Sequence, residues 1–498
     1  MKRIFITYLF ICITLISLAA DRYLVSGGTG NWNSTTNWSA TDGGGSGASY
    51  PVAGDNVFFT TNSSNAAITV NVTSACLSIV ASGTYAGQFT VNANITISGT
   101  TTFIATMPDI AGTNPIVFNT TATITSGGNS IAGGVTFTGT SQTYTLGDDW
   151  DVDGTVILSG VTTTTMTGQT IYAGGSLTQT TTAITSGTTN IVMNGTGTWS
   201  NSSTGILQNN LTFNTAGTIT VSGDVYYNTG ILTYTAGTVT VAGSTLNIIL
   251  PATSITLNTG GMTWYNCIIN TETTTITLLS DLIISNNITA GRTGWPLIIN
   301  GAYNVNIGGN LTLNQISGVI SGTATLVMNG TGTFSMPNIT TGQIRSNLKF
   351  NTAGTITVSG TINYNTGTLT KTAGTVITTG STLNIGNANT TLDLNDLTLN
   401  NLTLSGTSKV LTLTSGLKVS DVLSATSTGN SIVSSVGGTQ RKLTMLASST
   451  QSISSTNNID ATDIDSSEGL PIVSEGGALS NTLNWYSSAG DLTNMFLW

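Results

Sequence analysis

Histidine is absent from the 498 residues. That removes Ser-His-Asp and Cys-His catalysis, histidine-based zinc sites and the commonest general base. Only 6% of the residues are charged, 11 basic and 20 acidic, so no basic patch for nucleic acid and no long charged tail can be built. Cysteine occurs three times. Cys12 lies in an apolar run without the small residues of a lipoprotein cleavage site, and Cys76 and Cys267 are too few for a thiolate zinc site. Both sit among apolar neighbours (SACLSIV, WYNCIIN), which predicts two separate buried thiols and no disulfide. A 3.6-residue apolar period is missing from every useful window, so almost no helix is expected. The GxGxxG-like spacings therefore precede no helix and are not phosphate loops.

What remains is apolar residues at 39%, 59 glycines and an abundance of Thr, Ser and Asn. That is ample material for a buried core and argues against disorder. Residues 1–19 read as a signal peptide: Lys2 and Arg3, then Ile4 to Ile16, then Ser17-Leu18-Ala19 as a cleavage site, with Ala20 the near alternative. The mature chain is then secreted, extracellular or on the cell surface. Without Lys2 and Arg3 it carries nine basic against 20 acidic residues, a net charge of −11. Such a surface repels nucleic acid and anionic lipid, and no transmembrane stretch follows in the mature chain.

The chain contains one stretch twice. IVMNGTGTWS…STLNI at 191–248 returns as LVMNGTGTFS…STLNI at 326–385, displaced by 135 positions and by 137 after a two-residue insertion. Inside each copy a shorter unit recurs, TITVSG (218–223) as TVTVAG (238–243), a period of 20. The rung divides into TITVSG, DVYYNTG and ILTYTAG, three short strands each closed by glycine. In TITV, Ile219 and Val221 point inward and stack under Val239 and Val241, while Thr218 and Thr220 lie outward under Thr238 and Thr240. The expected fold is all-β, a single right-handed parallel β-helix of about 20 residues per rung. A left-handed helix of hexapeptides would repeat every 18. Tyr234 of the first copy is Lys371 in the second, so that position is either a solvent-reaching corner or one where the inward register slips.

Residues 20–60, with Trp32, Trp38 and the glycine-rich loop Gly43–Gly47, are expected to cap the open end of the stack. The two tryptophans are either buried cap residues or sugar-stacking platforms. Residues 61–446 form the β-helix. Residues 447–498 form the last rungs and a C-terminal cap anchored by Trp485, Tyr486, Phe496 and Trp498.

Three constellations could carry chemistry. Asp149, Asp151 and Asp153 alternate with Trp150 and Val152, so three carboxylates line one outer face. The spacing D-x-D-x-D-G matches the start of a calcium loop, yet Gly160 stands where its closing Glu belongs. A solvated face, a calcium site or a catalytic cluster remain alternatives, and calcium is the one cofactor with any support. Asp460, Asp463, Asp465 and Glu468 form a second acidic group that suits a polar end-cap, and Arg441-Lys442 is the only basic pair of the mature chain. Thr218, Thr220, Thr238 and Thr240 form a ladder of hydroxyls and methyls that could face a ligand or ice, although Ile377 breaks the matching row above Thr357. Sequons such as Asn37, Asn62, Asn94, Asn210 and Asn310 matter where exported proteins are glycosylated.

The opening, Arg22-Tyr23-x-Val25, GGTGNW, NWS, GGGSGAS, a proline and DNVFF, resembles the N-terminal signature of exported or phage-associated β-solenoid proteins. The body is similar to adhesin-like and pectate-lyase-like right-handed β-helices. The resemblance implies fold and surface location and carries over no catalytic residue. The pectin-cleaving members of the wider fold need paired aspartates with a nearby His, and here Asp148-Asp149 has none. The expected function is a non-enzymatic structural or adhesin-like rod binding surface glycans or other cell-surface components through its faces and loops. The alternatives are a polysaccharide lyase or hydrolase using Asp149, Asp151 and Asp153, an ice-binding protein, and a phage fibre.

Overall fold

The structure is a computed structural model. It describes residues 19–488 except 28, 181–183, 202–204, 250–253, 271–273, 292–295, 315–318, 338–341 and 387. The leader, Cys12, Phe496 and Trp498 lie outside the described residues. The fold is the expected all-β one, stacked parallel strands wound as a right-handed parallel β-helix. Helix among the described residues amounts to two single 3-10 turns, Thr35–Asn37 and Thr61–Ser63. No helix is long and apolar enough to cross a membrane among the described residues. The chain divides into two compact units, Met1–Tyr172 and Ala173–Trp498.

In the first unit each turn contributes to three parallel ladders. One runs through Asp21–Leu24, Asn56–Phe59, Ser78–Ala81, Thr101–Thr102, Ala122–Thr125, Gln142–Leu146 and Thr163–Gly168. A second begins with Thr29–Asn31, Ala67–Val70 and Phe89–Val91. The third stacks Cys76, Ile97, Phe118, Phe137 and Leu158 directly over one another. These side chains are buried because strict alternation sends every second residue into the coil. The rung is not constant: 19 residues separate Ile116 from Val135 and 22 separate Ala122 from Tyr144. Corners absorb the difference, so each inward column stays in register.

The segment expected as a cap already carries the first strands of two ladders. It departs from them in one antiparallel pair, Tyr23 with Ser39 and Leu24 with Trp38. Trp32 and Trp38 are both fully buried, edge to face at 5.0 Å. Their indole N–H groups donate to the carbonyls of Pro51 and Trp32. Neither offers a face to a sugar.

In the second unit the expected register holds: Thr218 pairs with Thr238, Ile219 with Val239 and Thr220 with Thr240. Ile219 and Val221 are buried and Thr220, Thr238 and Thr240 exposed. Val239, expected inward above Ile219, is only half-buried, and one strand boundary also differs from expectation, whereas Tyr234 takes the corner alternative. Gly237 does not close a strand but lies within Gly230–Thr240, at positive φ, where the strand bulges around a corner. Tyr234 is therefore at a corner: it pairs with the buried Phe213, is only half-buried itself, and the register shifts immediately after it.

The duplicated stretch does not return to its own face. Val225, Leu246, Cys267, Ile288, Leu311, Phe334 and Val358 form one unbroken inward column. Val358 is the copy of Val221, and Val221 belongs to the neighbouring column with Trp199. The second copy thus sits six turns further on and rotated by one face of the three. Faces that can exchange sequence must offer nearly the same packing environment. Leu311→Ala, in the middle of that column and 1% exposed, is expected to cost about 2–5 kcal/mol. Its outward neighbour Thr312→Ser should stay within about 0.5 kcal/mol. Urea midpoints followed by tryptophan fluorescence compare the two.

Candidate functional site

The three carboxylates singled out on Trp150–Val152 point outward as expected, over buried Trp150 and Val152. They do not converge. Asp149 Oδ1 accepts from the Thr170 amide at 2.9 Å, and Asp153 Oδ2 from Ser130 Oγ at 3.5 Å. Asp151, exposed and paired in register with Ser130, has its carboxyl held above the usual range by partial burial and by the like charges of Asp153 and Asp109. Among the described residues no three His, Cys, Asp or Glu side chains group as a metal ion requires. The D-x-D-x-D spacing therefore does not become a calcium loop. A period-2 strand spreads its carboxylates along a straight edge, whereas a calcium loop must curl them around one point.

The neighbour Asp148 has the most elaborate role. It accepts from the Ser126 amide at 2.7 Å, the Ser126 hydroxyl at 3.1 Å and the Gly127 amide at 2.6 Å, tying its corner to the one a turn below. Other acids act likewise. Asp109 takes the Ser130 amide and Asp281 the Asn304 amide, each at 2.8 Å. In the second acidic group Asp460 accepts from Ala478 N at 2.7 Å and Asp465 from Ser467 N at 2.8 Å. Asp463 is held below the usual carboxylate range by Asn481 and the Gly438 amide. Glu468 pairs with Lys442. Trp485 is buried nearby and donates to Ser466 Oγ, while Tyr486 is half-buried.

The predicted threonine ladder is formed. Thr240 Oγ1 donates to Thr220 Oγ1 at 3.1 Å, and in the second copy Ile377 does interrupt the row above Thr357. A wider threonine surface escaped the sequence reasoning. In the first unit Thr123, Thr145 and Thr167 stack in one column and Thr143 with Thr165 beside it, with Thr145 and Thr167 hydroxyls 3.2 Å apart. Its signal was present as T-x-T pairs 22 residues apart, but that spacing does not match the 20-residue period. Of the sequons, Asn37 is buried, its amide donating to the Asn31 carbonyl, and so cannot be glycosylated in the folded chain.

Open recesses also occur among the described residues. One of about 740 Å³ is lined by Val25, Thr29, Thr36, Asn37, Asn62 and the backbone of Gly43–Gly45. A notch of about 320 Å³ lies between the half-buried Tyr234 and the turn Gly260-Gly261. Compared with protein-family models, curated proteins and solved structures, the chain matches none.

Both thiols are inert by position. Cys76 and Cys267 are fully buried and unpaired, with burial pushing the Cys267 thiol up to about 12 and the Cys76 thiol higher still. Tyr85, Tyr144, Tyr227 and Tyr364 are raised by burial in the same direction. Above the unfolded thiol value of 9.0 the unfolded chain loses protons that the folded chain retains. The slope of stability on pH is then negative. Urea midpoints should be flat from neutral pH up to about pH 9 and fall as pH rises toward 12, and Ellman's reagent should titrate neither thiol before unfolding. Asp148→Ala, which orphans two backbone amides, is expected to cost about 1–3 kcal/mol, against no measurable loss for Asp151→Asn in the same urea titration.

Proposed function

We propose that the protein is an exported, non-enzymatic β-helix that acts at the cell surface as a structural and adhesive element. Its leader would direct export, and its outward faces and corners would engage surface glycans or other cell-surface components. The observation that carries this reading is the use made of the acidic side chains. Asp109, Asp148, Asp149 and Asp281 each accept backbone amides of a neighbouring turn. Such carboxylates are committed to holding corners together. An acid–base pair for glycoside cleavage requires instead two carboxyl groups facing one substrate bond, about 5–10 Å apart. Many outward strand positions carry Thr, Ser or Asn, whose neutral hydroxyls and amides suit repeated weak contacts.

The threonine columns of the first unit favour a second reading, adsorption to ice, since they present methyl and hydroxyl groups at the spacing of the strands. Ice crystals grown with the protein would then show shaping and thermal hysteresis, and unshaped crystals remove that reading.

For the principal reading, beads coated with residues 20–498 are passed over surfaces bearing neutral glycans, charged glycans and extracellular proteins. Reducing ends and unsaturated uronates are assayed on the same polysaccharides in solution. The expected result is retention on at least one surface with no product released. Release of either product, abolished by Asp149→Asn, would make the chain an enzyme instead.

A further inference from the structure

We infer that the notch between Tyr234 and Gly260-Gly261 in the second unit is a subsite for a neutral sugar ring. This deepens the adhesive reading and rests on it. The notch is an open recess of about 320 Å³ where one corner of the coil meets the corner of the next turn. Tyr234 supplies an aromatic wall and is held by its hydroxyl, which donates to the Gly237 carbonyl at 2.7 Å. The floor is the turn Gly260-Gly261, both residues at positive φ, +55° and +88°. The exposed hydroxyl-bearing residues Thr238 and Thr263 stand at the rim. An aromatic wall beside hydroxyls and bare backbone, with no charged side chain in the lining, is what a pyranose needs. Its apolar C–H face lies against the ring and its hydroxyls are met by neutral partners.

The second copy shows that this chemistry is a choice and not a consequence of the fold. There the same bulged corner carries Lys371, paired with buried Phe350 as Tyr234 is with Phe213. The turn of the following rung is also preserved. Met262 N donates to the Thr259 carbonyl at 2.7 Å and Leu397 N to the Leu394 carbonyl at 3.1 Å. Where the first turn has Gly260-Gly261, the second has Asn395-Asp396, again both at positive φ, +50° and +59°. The backbone therefore tolerates side chains at both positions. Glycine at 260 answers to the tyrosine: a Cβ there would lie 2.7 Å from the Tyr234 ring carbon Cδ1. A Cβ at 261 meets nothing within 4 Å and would project into open space. Glycine at 261 leaves the notch empty, and tyrosine at 234 gives it a wall. At the equivalent positions the second copy carries Lys, Asn and Asp, with neither an aromatic wall nor a bare glycine floor.

The test gives the first corner the residues of the second. Residues 20–498 and the triple variant Tyr234→Lys/Gly260→Asn/Gly261→Asp are titrated calorimetrically with cellotetraose, maltotetraose, xylotetraose and chitotetraose, and with tetragalacturonate as the anionic counter-probe. Equal urea midpoints establish that the variant is folded, and Tyr234→Phe, which keeps the ring, provides a second comparison. The expected result is one site per chain for at least one neutral tetrasaccharide, weakened about tenfold or more in the triple variant and less than about threefold in Tyr234→Phe. Equal binding by the triple variant, preference for tetragalacturonate, or no binding of any neutral tetrasaccharide overturns the subsite. Bead retention on charged glycans or proteins would still leave the adhesive reading standing, so the two fail separately.

Discussion

Every inward side chain in each unit must sit over the one a turn away, because parallel strands hydrogen-bonded in register leave no other place for it. The column Val225, Leu246, Cys267, Ile288, Leu311, Phe334, Val358 shows how much depends on this. Valine, leucine, isoleucine, phenylalanine and a reduced cysteine alternate in it freely, since what is conserved along the column is apolar contact above and below. A charged residue in that position would be buried without a partner. The constraint also accounts for the composition. With one side of each strand given to aliphatics, the other side and the corners must satisfy backbone groups without disturbing the stack. Short neutral hydrogen-bonding side chains do this at little cost. Asn266 Oδ1 accepts the Asn287 amide, Asn287 Oδ1 the Asn310 amide and Asn310 Oδ1 the Thr333 amide, an asparagine in each turn tying down the next.

Because the three faces impose the same demand, they are interchangeable. The duplicated stretch demonstrates it: moved by six turns and one face, Leu211, Ile219 and Val225 become Leu348, Ile356 and Ile362, buried again on different ladders. Selection for the core is thus local to each strand and indifferent to absolute position. Corners are freer. They absorb the variation in rung length through bulges and positive-φ residues, and their outward side chains touch few others. Tyr234 and Lys371 occupy the same kind of bulged corner with opposite chemistry, which a core position would not permit.

The inward residues and the threonine pairs were legible because each is a local pattern, period 2 along a strand and one rung between strands. The β-helix followed from them, as did the burial of Cys76 and Cys267. What was not legible depends on relations between turns. The rotation of the second copy is hidden because 135 or 137 residues is not a whole number of rungs, and the strings align equally well whichever face they occupy. The threonine columns at Thr123, Thr145 and Thr167 follow a 22-residue rung that the 20-residue period does not suggest. The fate of the Asp149–Asp153 carboxylates could not be read either. A D-x-D spacing states which way side chains point but not which amide of the adjacent turn reaches them. Asp148 shows the same from the other side: its three hydrogen bonds all come from residues 21 or 22 positions earlier.

These relations between turns also locate where recognition can reside. Strand faces are periodic, so any contact they offer is repeated along the coil and gains strength through multiplicity more than through fit. A corner is made once, from one side chain on one turn and a turn backbone from the next, and it can be concave. Tyr234 with Gly260-Gly261 is such a corner, and its second-copy counterpart, Lys371 with Asn395-Asp396, keeps the backbone conformation and the threonines corresponding to Thr238 and Thr263, Thr375 and Thr398, while replacing the aromatic wall and the glycine floor. A scaffold of this type separates stability from recognition in space: columns carry the first and corners the second. Tyr234 could therefore diverge from Lys371 while Phe213 and Phe350 beneath them stayed the same residue, buried in both copies.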